Sequence, residues 1–112
     1  MRPFGDLEAV IMDHLWSAAE PLTVREVLER IDRDPPLAYI TVMTVMDNLH
    51  RKEVLSRAKE GRAFRYWPTK DRANHTAELM HELLNDSGDS SVTLLRFLDN
   101  MSAAQVKKLK RA

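Results

Sequence analysis

The chain has 112 residues, 44% of them apolar, and its 17 basic and 17 acidic side chains cancel to a formal net charge of zero. That length supports one modest core with a small annex, and with no run of about eighteen apolar residues, no lipidation motif and no cleavable leader pattern, a soluble cytoplasmic protein is expected. Cysteine is absent, which excludes disulfides, thiolate metal sites and a cysteine nucleophile and agrees with a reducing compartment.

Asp6 is placed to cap a first helix in which Leu7, Val10, Ile11 and Leu15 recur at helical spacing, and Trp16 closes the run before the Glu20-Pro21 break. Thr23-Val24-Arg25-Glu26 has the form of a capping box, with the hydroxyl accepting from the third amide and the carboxylate reaching back to the cap. Val24, Val27, Leu28 and Ile31 then form the inner side of a short helix that Asp34-Pro35-Pro36 ends, because proline cannot continue it.

A further helix is expected from Ala38 to Lys52. Val42, Val45, Met46 and Leu49 make one apolar stripe at the i, i+3, i+4, i+7 spacing. The opposite face shows Ile40, Thr41, Met43, Thr44, Asp47, Asn48 and Arg51, where a purely solvated face would carry Lys and Glu. Small and polar side chains of this kind reach base edges. Ile40, Thr41, Met43, Thr44 and Asn48 are therefore the candidate base readers, flanked by Tyr39, Arg51 and Lys52 as candidate contacts to the nucleic-acid backbone.

Beyond Lys52 the period changes to that of strands. Val54 to Lys59 and Arg62 to Trp67 read as a hairpin around Glu60-Gly61, where glycine supplies the positive φ of a tight turn. Phe64 and Tyr66 alternate onto one face and are expected in the core, and Arg57, Lys59, Arg62 and Arg65 are assigned to phosphate. Charge is sorted along the chain in the same sense. From Asp6 to Asp34 eight acids face three bases, a balance of −5, and from Arg51 to Arg72 eight bases face three acids, a balance of +5. Whole-chain neutrality does not cancel such a local field over a Debye length of roughly 8 Å.

From Thr69 the pattern is helical again, with Ala73, Ala77, Met80 and Leu84 on one stripe and Thr76, Leu79 and Leu83 beside it, up to Asp86-Ser87-Gly88-Asp89. A second helix carries Leu94, Leu95, Phe97, Leu98 and Met101, and a third starts at the capping box Ser102-Ala103-Ala104-Gln105 and carries Val106 and Leu109. Three short helices cannot hide this much apolar surface on themselves, and a second copy offering the same surface is the economical cover. Leu79, Met80, Leu83, Leu84, Leu94, Leu95, Phe97, Leu98 and Met101 are the candidate dimerisation residues.

Two adjacent helices followed by a basic hairpin make a winged helix-turn-helix that binds double-stranded DNA. The expected fold is mostly α with a small β-hairpin, in two parts: a winged-helix domain over 1–68 and a helical dimerisation region over 69–112. A module of the same fold that binds another protein and not DNA is the alternative, since folds host many functions. An enzyme is not expected. Glu78 and His81 have the i, i+3 spacing of carboxylate-bridged metal sites, but one copy is too few, so no metal, cofactor or catalytic residue is assigned.

Thr41-Val-Met-Thr44-Val-Met-Asp-Asn-Leu49-His-Arg-Lys52, followed by Gly61-Arg62-Ala-Phe-Arg-Tyr66-Trp-Pro68, resembles the penicillinase-repressor family of bacterial transcription factors, the BlaI/MecI type. Leu7-Glu-x-x-Ile11-Met-x-x-Leu15-Trp16 and Thr23-Val-Arg-Glu-Val27 fit the same pattern, and the match covers nearly the whole chain. The resemblance implies a homodimeric repressor on an inverted-repeat operator, controlling antibiotic-resistance or other stress-related genes, with Thr41 and Thr44 reading the major groove and Arg51, Lys52 and Arg62 holding the backbone. It also implies release through a sensor-linked protease that cuts an Asn-Phe bond between the C-terminal helices; the corresponding bond here is Arg96-Phe97, which lacks the asparagine. Copper-responsive relatives carry Cys-x-Cys pairs that this chain lacks, and Glu53 and Asn48 stand where the family commonly has Gly and Arg.

Overall fold

The computed structural model describes residues 3–112. In chain order its elements are α1 (Asp6–Ser17), β1 (Leu22–Thr23), α2 (Val24–Arg30), α3 (Tyr39–Arg51), β2 (Leu55–Glu60), β3 (Ala63–Pro68), α4 (Arg72–Asp86), α5 (Ser90–Asp99) and α6 (Ala103–Arg111). The chain divides into two compact units, one running to His75 and the other from Thr76 to Ala112, with α4 crossing the boundary.

In the first unit every element contributes to a single core. Ile11, Met12 and Leu15 of α1, Val24 and Val27 of α2, and Val42, Met46 and Leu49 of α3 close on Leu22, Leu55 and Tyr66 of the sheet. The predicted α3 stripe is the centre of this cluster: Val42, Met46 and Leu49 expose no surface, and truncating Met46 or Leu49 to alanine costs about 2–5 kcal/mol. Val45, at the margin of the stripe, is half-buried. The α2 box forms as expected, Thr23 Oγ1 accepting from Glu26 N at 3.1 Å and Glu26 Oε1 from Thr23 N at 3.0 Å.

The N-cap of α1 is Gly5, not Asp6, because Glu8 Oε1 reaches back to accept from Gly5 N at 3.0 Å; Asp6 lies inside the first turn, where the helix dipole favours an acid. The sheet has three strands in the order β1-β3-β2, all antiparallel, with Leu22 opposite Tyr66 and Thr23 opposite Arg65. Two residues are too few to show a strand period, so β1 left no trace in the pattern. The hairpin turn lies one residue later than expected. Glu60 pairs with Ala63, which leaves Gly61 and Arg62 as the loop, and Gly61 has φ +64°, the conformation that a two-residue turn with glycine first requires.

Helix α4 starts at Arg72, later than the Thr69 expected, capped by Asp71, whose Oδ1 accepts from Asn74 N at 2.8 Å. Thr69 instead ties the base of the hairpin, its hydroxyl donating to Glu53 O at 2.9 Å and its amide to Val54 O at 3.0 Å. The start of α4 is further held by an aromatic cluster. His75, 6% exposed, stacks on Phe4 with ring centroids 4.6 Å apart and lies 5.6 Å from Trp16, while Trp16 Nε1 donates to Lys70 O at 2.9 Å.

In the second unit Asp89 caps α5 by accepting from Val92 N at 3.1 Å, and Ser102 and Gln105 form the expected box at the start of α6. No residue of α5 or α6 is buried. Met80, Leu83, Leu94, Leu95, Phe97 and Leu98 are all exposed, and Leu79, Leu84 and Met101 are half-buried. The Arg96-Phe97 bond lies inside α5.

The end of α3 is a Schellman motif: Val54 N donates to Leu49 O and Glu53 N to His50 O, both at 3.0 Å, with Glu53 at φ +64°. A side chain at that φ is strained, and glycine in its place would carry no such strain. Glu53→Gly is expected to stabilise the first unit by about 0.5–1 kcal/mol in urea unfolding; a loss of stability would contradict the strain. A second expectation concerns Glu26. The Thr23 backbone amide, helped by the Thr23 hydroxyl and Arg65, holds its carboxyl below the usual carboxylate range. Its stabilising effect is present above the unfolded value of about 4.3 and disappears as the pH falls below that. Stability measured from pH 7 downward should therefore decline less steeply in acid for Glu26→Gln than for the parent chain, and equal slopes would count against the argument.

Candidate nucleic-acid interface

With Val42, Met46 and Leu49 committed to the core, the helical period turns Ile40, Thr41, Thr44, Asn48 and Arg51 outward, and all five are exposed; Met43 and Asp47 are half-buried beside them. Between this face and the hairpin runs a groove of about 840 Å³ whose walls include Thr44, Asn48 and Arg51 on the helix and Arg57, Arg62 and Phe64 on the wing. Tyr39 and Met43 line it at its helix end, together with Arg25 from the first turn of α2.

Asp47 is the hub of this groove. Its Oδ1 accepts from Arg57 Nη1 at 3.1 Å and its Oδ2 from Arg51 Nη2 at 2.9 Å. Arg57 also donates to Tyr66 Oη at 3.4 Å and lies 4.1 Å above the Phe64 ring, so the Tyr66 hydroxyl, with Asp47, holds its pKa above even the usual arginine value. One carboxylate thus ties the recognition helix to β2. The Arg51 pair is an exposed i, i+4 contact worth only about 0.3–0.5 kcal/mol, which leaves that side chain free to exchange its partner for a phosphate.

The four wing cations expected to act together are separated. Arg57 is an internal strut. Arg65 faces away from the groove, bonding Glu26 at 2.7 Å, Glu60 at 2.6 Å and Pro21 O at 3.2 Å, and it lines a different depression with Glu20 and Arg30. The reason is strand alternation: Arg65 neighbours Tyr66, which is buried, and so points to the opposite side of the sheet. Among the described residues Lys59 and Arg62 are exposed and carry no ion pair, and Arg62 stands at the turn. Lys52 pairs with Glu8 of α1 at 3.2 Å while its side chain stays 62% exposed.

Phe64 corrects a second expectation. Tyr66 is core, at 2% exposure, whereas Phe64 on the same face is 37% exposed, because it lies nearer the hairpin tip, past the reach of the helices behind the sheet. There it supports the Arg57 guanidinium. Two residues of the site had no assigned role in the sequence. Asp47 stands on the outward face with no visible partner, and Arg25 sits in an acid-rich stretch, yet its guanidinium lies 5.3 Å from the centroid of the Tyr39 ring. The capping box was the available signal for Arg25, since it turns the residue between Thr23 and Glu26 outward at the head of α2.

Among the described residues no group of three or more acidic or histidine side chains is arranged to hold a metal ion, and no helix is long and apolar enough to cross a membrane.

The family model for the penicillinase repressor matches residues 4–112. A transcriptional regulator BlaI of Mycobacterium tuberculosis is 41% identical over 111 residues, spanning 96% of this chain and 80% of the relative. The penicillinase repressor of Bacillus licheniformis is 27% identical over 109 residues, spanning 94% and 84%. Among solved structures, the DNA-binding domain of the repressor BlaI aligns with a TM-score of 0.55 at 27% identity, covering 62% of this chain and 84% of that one. The CopR repressor aligns with a TM-score of 0.51 at 31% identity, covering 62% and 100%. A groove between an outward-facing helix and a basic wing, on a chain matched from Phe4 to its last residue, leads to one assignment: the protein belongs to the penicillinase repressor family of winged-helix regulators, which are not enzymes.

Proposed function

We propose that the chain is a DNA-binding transcriptional repressor that acts as a homodimer on an inverted-repeat operator. The observation that carries this is the α3 face: a helix locked by three fully buried residues presents small and polar side chains along a groove rimmed by Arg25, Arg51 and Arg62. Ile40, Thr41, Met43, Thr44 and Asn48 read base edges in the major groove. Tyr39, Arg51, Lys52, Lys59 and Arg62 hold the phosphates, with Arg25 added to them and Arg57 and Arg65 removed from them by their internal pairs. The relatives named as a repressor and as a DNA-binding domain support the same reading.

The homodimer rests on the second unit. A monomer seldom leaves as much contiguous apolar side chain in water as Leu94, Leu95, Phe97 and Leu98 represent, and a symmetric copy covers the same residues with themselves. Two recognition helices then read two half-sites, which lifts affinity beyond what one helix reaches.

With about five phosphates neutralised per protomer, by Arg25, Arg51, Lys52, Lys59 and Arg62, and about ten per dimer, log affinity for a selected duplex should fall against log salt with a slope near −9. Arg62→Ala is expected to weaken selected and random duplexes alike and to shallow that slope by about two, one for each protomer; an unchanged slope would place the wing away from phosphate. For assembly, Leu98→Asp puts a charge in the middle of the exposed apolar surface and should give a monomer in sedimentation. A dimer that survives the change would contradict the interface.

A further inference from the structure

Thr44 donates its hydroxyl proton to the Ile40 carbonyl at 2.8 Å, one turn back along α3. A hydroxyl has a single proton. With that proton committed the oxygen offers a base nothing but lone pairs, and with the oxygen turned back onto the helix the γ-methyl becomes the part of the side chain left to the groove. Ile40 is 58% exposed on the same face, and Met43 lies half-buried between them. The first two turns of α3 contain no Arg, Lys, Asn or Gln; the first such side chain is Asn48. The part of the helix best placed to enter the major groove therefore lacks the paired donors that select guanine and the amide that selects adenine. Beside the exposed Tyr39 and Thr41 it carries an apolar strip built of two branched side chains and a thioether, those of Ile40, Thr44 and Met43. In the major groove the one apolar mark on a base pair is the C5 methyl group of thymine.

We infer that the Ile40, Met43 and Thr44 surface selects thymine through its C5 methyl, and that Thr44 takes part through its own methyl and not through its hydroxyl. This deepens the DNA-binding reading above and rests on it. Excluding water from one methyl-sized group is worth about fourfold in affinity per half-site, hence about fifteenfold for a two-fold symmetric site.

The test uses the full chain and a duplex selected by it from a random pool, in which each thymine is replaced in turn by deoxyuridine, a change that removes only the methyl. At one thymine of each half-site the replacement should weaken the parent chain by about fourfold. Thr44→Val, which keeps the methyl and loses the hydroxyl, should bind the selected duplex like the parent and remain sensitive to uracil there. Thr44→Ser, which keeps the hydroxyl and loses the methyl, should start about fourfold weaker per half-site and be indifferent to the replacement. Thr44 is exposed, so neither change disturbs the core. The inference is overturned if every uracil is silent in the parent chain, or if Ser binds normally while Val loses affinity. A parent chain that selects no duplex from the pool overturns the DNA-binding reading itself, and this inference with it.

Discussion

Burial of one stripe of α3 is the constraint from which the rest follows. Val42, Met46 and Leu49 are sealed against α1, α2 and the sheet, and a helix with one side fixed to that degree has no rotational freedom about its own axis. The direction of Thr44, Asn48 and Arg51 is thereby set by hydrophobic packing on the far side. The outward side chains have no rigidity of their own here, and borrow it from the core.

The wing is registered to this helix by a charge. Asp47 takes Arg57 from β2 on one oxygen and Arg51 on the other, with Phe64 and Tyr66 beneath and beside the Arg57 guanidinium. A half-buried pair with an aromatic face and a hydroxyl on the same cation is far better organised than an exposed ion pair. It leaves the hairpin tip, with Arg62, beside the outward face of α3. Electrostatics is used twice in the first unit: inward, to hold wing to helix, and outward, where Arg62 and Lys59 are unpaired among the described residues.

The elements with their own local chemistry were legible in the sequence. The α3 stripe, the Thr23-Glu26 and Ser102-Gln105 boxes, and the hairpin with glycine at its turn all announce themselves within a few residues, because each is stabilised by neighbours in the chain. What was illegible depends on partners that only the fold brings together. Arg57 meets Asp47 across 10 positions and Arg65 meets Glu26 across 39, so a count of basic residues in the wing could not separate internal struts from cations open to phosphate. β1 is invisible for the same reason, since its two residues are strand only by virtue of Tyr66 and Arg65 opposite them. Glu53 lies between these cases: the end of the α3 pattern beside it is visible in the sequence, and the positive φ that the turn imposes on it is not.

If the outward face of α3 and the hairpin turn together grip a duplex, then backbone amide shifts of the labelled chain, followed by NMR as a selected duplex is added, will change most from Tyr39 to Arg51, at Gly61 and Arg62, and at Arg25. Changes confined to the other side of the sheet, around Glu20, Glu26 and Arg65, or a spectrum that the duplex leaves untouched, would contradict it.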